Sequence, residues 1–145
     1  MSRTRKAWRV TVKGYDASEI FYAPTAGQAR GMAYRQVDGV RIVDVVARRA
    51  EYADKILPDR SPLADLLSKE EAHCLLHAFG GSNLDKAGYR DYFYTRRDDP
   101  PLVALAERGL MSPMPGDKFG ENMTYFILTP QGKNVALSMT PEYRK

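Results

Sequence analysis

His73, Cys74 and His77 fall close together in "KEEAHCLLHAFGG" and are the first residues whose types could do chemistry. Histidines four positions apart on a helix share a face and can hold a metal, and a thiol beside an imidazole can act as a nucleophile. A competent metal site needs three or four supported ligands, yet these are the only histidines and the only cysteine in the chain. Nothing beside Cys74 supplies the cationic setting that activates a thiol. The three are therefore expected to be surface or boundary residues of a helix, with no metal and no cofactor. The chain contains no P-loop, no G-x-S-x-G, no dinucleotide fingerprint and no spaced-acid nuclease pattern. A non-enzymatic protein is expected.

Two other groups carry binding chemistry. Arg3, Arg5, Lys6, Arg9, Lys13, Arg48 and Arg49 form a basic set, with Arg9 and Lys13 expected on the outer face of a first strand and the N-terminal arm expected to move freely. Such a face can follow a phosphate backbone, each contact adding affinity and salt dependence. The plain alternative is a solvated sheet face. In "GYRDYFYTRR", Tyr89, Tyr92, Phe93 and Tyr94 lie among Arg90, Arg96 and Arg97. Rings interleaved with arginine can stack on bases or anchor a protein interface. The plain alternative here is filling between helices.

Charge supports the first set. Residues 1 to 60 carry 12 Lys and Arg against 7 Asp and Glu, while residues 61 to 145 carry 10 against 11. A basic first half hints at an anionic partner. The chain has no apolar run of membrane-spanning length, its start "MSRTRKAWRV" lacks a signal-peptide core, and one cysteine makes no internal disulfide. The cytoplasm, of a bacterial host cell, is the expected compartment.

The elements that must position these residues follow from periodicity. "AWRVTVKGY" alternates as a half-buried strand, "GYDAS" supplies a turn, and "EIFYA" returns as a second strand. Thr25 with Gln28 reads as a capping box opening a helix through Val37, and "VRIVDVVARRA" reads as a third strand. The fold class is α+β: a basic β-β-α-β unit over residues 1–51, a linker with a short helix over 52–67, and a second unit over 68–145. In that second unit Ser68 and Glu71 cap a helix that Gly80 ends, and "DKAGYRDYFYTRRDD" reads as a short helix or irregular segment. Asp98 and Asp99 stand where they stabilise the positive end of a helix opened by Pro100 and Pro101. Short strand material, a glycine-bounded turn, "MTYFILT" and a last helix capped by Thr129 complete it.

"LVALAERGLM" and "YFILTPQGKNVAL" resemble the helix ending and the "LT-x-x-G" strand-to-helix passage of the winged helix-turn-helix superfamily, over residues 68–139. "AHCLLHAFG" with "YRDYF", and "YAPTAGQARGMAYRQV" with "VRIVDVVARRA", are similar to small uncharacterised bacteriophage and prophage proteins. The resemblance implies a winged-helix unit and a phage-type origin. The start of its recognition helix departs from a DNA reader by being acidic, and the wing sets Lys118 against Asp117 and Glu121.

Two readings of function follow. The first is a phage-type winged-helix accessory or regulatory protein contacting nucleic acid with low sequence specificity through Arg5, Lys6, Arg9, Lys13, Arg48, Arg49, Arg96 and Arg97. The alternative is a protein-binding module, such as a small inhibitor of a host defence protein, acting through Tyr89, Arg90, Tyr92 and Tyr94. The oligomeric state stays open in both.

Overall fold

Alternating burial along Ala7–Val12 builds the first sheet: Val10 is buried and Trp8 and Val12 half-buried, while Arg9 and Thr11 are exposed. The computed structural model describes residues 2–81, 87–116 and 122–143. The chain divides into two compact units, one of Ser2–Leu57 and one from Pro58 onward.

In the first unit the elements are β1 (Ser2–Arg5), β2 (Ala7–Val12), β3 (Glu19–Tyr22), α1 (Ala26–Gln36), β4 (Val45–Arg49) and β5 (Lys55–Pro58), with short 3-10 turns at Ile42–Asp44 and Glu51–Ala53. Strand β2 is central in an antiparallel sheet of order β3-β2-β4. Helix α1 starts where the Thr25 hydroxyl accepts the Gln28 amide, satisfying one donor of the open first turn, but the Gln28 side chain meets the Thr25 hydroxyl and not its amide, so the expected capping box is only half formed. Its Ala29 and Ala33 are small enough to let the helix approach Val10, Phe21 and Val45, and together these form the core of the unit.

Three features differ from the reading of the sequence. The N-terminal arm is not free: Ser2–Arg5 pairs with Lys55–Pro58 as a two-stranded sheet. That pairing also takes part of the expected linker into a strand, because four residues are too few to show a period. The third strand begins only at Val45, since Ile42–Asp44 turn as a 3-10 segment whose geometry Arg30 holds by donating to the Val45 carbonyl at 2.8 Å and the Ile42 carbonyl at 2.9 Å.

The second unit contains a 3-10 turn at Pro62–Leu66, then α2 (Lys69–Phe79), β6 (Tyr92–Arg96), α3 (Pro100–Glu107), β7 (Met111–Pro113), β8 (Met123–Leu128) and α4 (Pro130–Met139). Ser68 and Glu71 form the expected reciprocal cap, at 3.1 and 2.9 Å, and Gly80 ends α2 in the left-handed region at φ 72°. Leu75, Leu102, Leu105, Leu110, Phe126 and Val135 centre the core between helices and sheet. The sheet is antiparallel in order β6-β8-β7.

The segment expected as a short helix or irregular run contains strand β6 instead. "YFYTR" alternates by solvent contact, with Phe93 turned to the core and Tyr92 and Tyr94 outward, so a count of apolar residues misses its period. A strand therefore separates α2 from α3, and the order is helix, strand, helix, strand, strand, helix. The wing residues Asp117, Lys118 and Glu121 lie outside the described residues.

The "LT-x-x-G" passage has a packing cause. Thr129 accepts the Gly132 amide at 3.0 Å and donates to the Gly109 carbonyl at 2.7 Å, which presses the first turn of α4 onto the end of the preceding helix. A Cβ on Gly132 would sit 1.9 Å from the Leu110 carbonyl oxygen. Only glycine fits that approach.

Candidate nucleic-acid interface

The strand period sends Arg9 and Arg48 to the same side of the first sheet, away from α1. They are direct partners across β2 and β4, and both are exposed. Among the described residues no carboxylate forms an ion pair with either. Two like charges directly opposite destabilise an antiparallel pair. Around them the same open face carries Thr11, opposite Val46, and Ile20, opposite Arg9; Val46 is 44% exposed. Lys13 follows β2 and is exposed, its amide donating to the Asp44 carbonyl at 2.9 Å. Lys6, between β1 and β2, is exposed as well.

Arg5, Arg49, Arg96 and Arg97 of the expected set are occupied within the fold. Arg5 is buried, 4% exposed, with its guanidinium 4.0 Å from the centre of the Tyr22 ring, because β1 is a strand and not an arm. Arg49 grips Asp54 with two bonds of 2.6 Å, and its Nη1 donates to the Ala7 carbonyl at 3.0 Å. The Arg49 bonds to the carboxylate, and then the Ala7 amide donating to Asp54 Oδ1 at 2.8 Å, hold the Asp54 carboxyl down at about 2. Arg97 donates to the Met114 and Gly116 carbonyls and so fastens the end of β7. Arg96 pairs with Asp98 at 3.1 Å, with both side chains largely exposed, and keeps that carboxyl below its usual range.

The start of α3 also differs in detail from the expectation that Asp98 and Asp99 cap it. Asp99 occupies the N-cap position without a capping bond and accepts the Thr95 hydroxyl at 2.7 Å instead. Arg108, near the other end, faces Glu71 at 3.7 Å. Helix α3 thus presents no array of free cations or amides to a base edge.

The tyrosine segment forms a second open surface. Tyr92 and Tyr94 on β6 are 42% and 44% exposed, and the register sets Tyr94 opposite Tyr125 of β8. Tyr125 is 5.5 Å from the Tyr92 ring and 4.7 Å from the Tyr94 ring. Arg90 donates to the His77 carbonyl and lies 5.6 Å from the centres of both the Tyr89 and Tyr92 rings. The reading of the sequence missed Tyr125, although alternation in "MTYFIL" places it opposite in direction to the buried Phe126. It missed Ile20, Thr11 and Val46 too, since their shared face depends on strand register.

His73 and His77 lie with ring centres 6.1 Å apart, and His77 meets Phe93 edge-on at 5.4 Å. Burial, then Arg90 and His73, lower the His77 pKa and so favour the neutral ring. Burial raises the Cys74 thiol, opposite to what activation requires. No group of three or more His, Cys, Asp or Glu among the described residues is placed to hold a metal. No described helix is long and apolar enough to cross a membrane. No protein-family model, no curated protein and no solved structure matches this chain.

Proposed function

We propose that this protein is a non-enzymatic, phage-type winged-helix accessory protein that contacts nucleic acid with low sequence specificity, chiefly through the open sheet face of its first unit. The observation that carries the reading is the unneutralised Arg9 and Arg48 pair, supported by the exposed Lys13. A fold that keeps two arginines opposed without a carboxylate retains a cost that an incoming phosphate removes. The cations lie on a sheet face and not on a helix that could enter a groove, so contacts go to backbone phosphates and carry little sequence information. The winged-helix part rests on the resemblance of "LVALAERGLM" and "YFILTPQGKNVAL" and on the strand pair β7 and β8 that follows α3 and leads into α4.

Titrating a random duplex at about 50 and about 200 mM salt tests the reading. Changing both Arg9 and Arg48 to Ala should weaken binding and reduce the slope of log affinity against log salt by about 2, near one unit per phosphate contact. An unchanged slope would refute the assignment. The alternative, a protein-binding module, is favoured by the exposure of Tyr89, Tyr92 and Tyr94. A host protein retained after nuclease treatment and released by changing those tyrosines would support it instead.

A further inference from the structure

We infer that the outer face of the β6-β8-β7 sheet is a stacking platform for single-stranded nucleic acid, with Tyr92 and Tyr94 each receiving one base. The inference rests on the nucleic-acid reading above and extends it from phosphates to bases. Three rings make one aromatic patch on a face turned away from the core: Tyr92, Tyr94 and, locked against both, Tyr125. Tyr125 braces the two exposed rings, so little side-chain freedom is left to lose on binding.

Spacing selects the ligand. Tyr92 and Tyr94 are two residues apart on one strand, so their side chains stand about 7 Å apart, twice the rise of one residue. That is about double the 3.4 Å step between nucleotides along a duplex strand. Bases in a duplex have both faces covered by their neighbours and cannot lie on either ring, whereas a single strand with splayed bases can place one on each. Charge agrees at both ends of the patch. Arg90, steadied by the His77 carbonyl, lies beside Tyr92, and Arg96 follows Tyr94 on the same outward face. The exposed Arg96–Asp98 pair contributes little to stability, so Arg96 can exchange its carboxylate for a phosphate. Base stacking on tyrosine is tolerant of sequence, which fits a protein of low specificity.

The test uses the intact protein and three labelled probes of about 12 nucleotides: oligothymidylate, an abasic strand of the same length, and a duplex. Wild-type protein should bind oligothymidylate roughly tenfold more tightly than the abasic strand, which keeps the phosphates and lacks the bases. Tyr92→Ala and Tyr94→Ala should each cut that preference to roughly threefold, the double change should abolish it, and duplex binding should stay unchanged, while Tyr92→Phe and Tyr94→Phe should retain the preference. The wild-type comparison needs no variant to fold. Equal affinity for the base-bearing and abasic strands overturns the platform. If duplex binding then still depends on Arg9 and Arg48, the platform fails and the broader reading stands. Binding of none of the probes overturns both, and a host protein released by the Tyr→Ala changes would give this face to a protein partner.

Discussion

Arg9 of β2 and Arg48 of β4 are direct cross-strand partners on an open sheet face, and no described carboxylate pairs with either. Placing a carboxylate at one of these positions converts a repulsive pair into an attractive one. Arg9→Glu should therefore raise the melting temperature, by the equivalent of about 0.2–1 kcal/mol for an opposite-charge pair. The same change should abolish nucleic-acid binding. Melting and binding measured on one preparation check both, and a lowered melting temperature would contradict the placement of the pair.

Asp54 makes the first unit sensitive to acid. Its carboxyl titrates at about 2, down from the usual 3.8, because Arg49 and the Ala7 amide hold the ionised form. The depressed value means that this stabilisation is complete above pH 3.8 and is lost as the pH falls through about 2. Asp54→Asn should lower the melting temperature at neutral pH and flatten its decline between about pH 4 and about pH 2. Wild-type and variant curves that run parallel through that window would show that the pair contributes nothing.

Gly132→Ala places a methyl group 1.9 Å from the Leu110 carbonyl oxygen, a backbone atom that cannot rotate away. The first turn of α4 must move, at a cost of about 1–3 kcal/mol or more. Denaturant unfolding should show a loss of that size. A neutral result would mean that the turn adjusts without strain and that the glycine of the "LT-x-x-G" passage is dispensable.

Zinc should be a bystander. Among the described residues no three His, Cys, Asp or Glu are grouped to hold a metal, His73, Cys74 and His77 included, and the Cys74 thiol is pushed up by burial. Purified protein should hold no stoichiometric zinc, and a chelator should leave its melting temperature unchanged. One zinc per chain by elemental analysis would overturn the reading of α2.

Much of the local structure is legible from single residues and their neighbours. The Ser68–Glu71 cap, the Thr25 and Thr129 caps, the Gly80 helix end and the alternation of Ala7–Val12 depend on contacts within a few positions, so local chemistry alone decides them. The failures have one cause. Arg48 and Arg49 are adjacent and chemically equal, and a strand must point them in opposite directions. Which one meets solvent and which one meets Asp54 depends on where the turn at Glu51–Ala53 folds back beside Ala7. Arg5 is buried in β1, the strand that pairs with the distant segment Lys55–Pro58, with its guanidinium over the Tyr22 ring.

The tyrosines follow the same logic. The sequence by itself determined that rings and arginines are interleaved between Tyr89 and Arg97, because that is a matter of residue type. The tertiary structure alone decided that Phe93 joins the core, that Tyr92 and Tyr94 face outward, and that Tyr125, more than thirty positions away, braces them. Residue types set which interactions are possible, while register and packing between segments far apart in the chain choose which side chains are satisfied inside the fold and which face solvent.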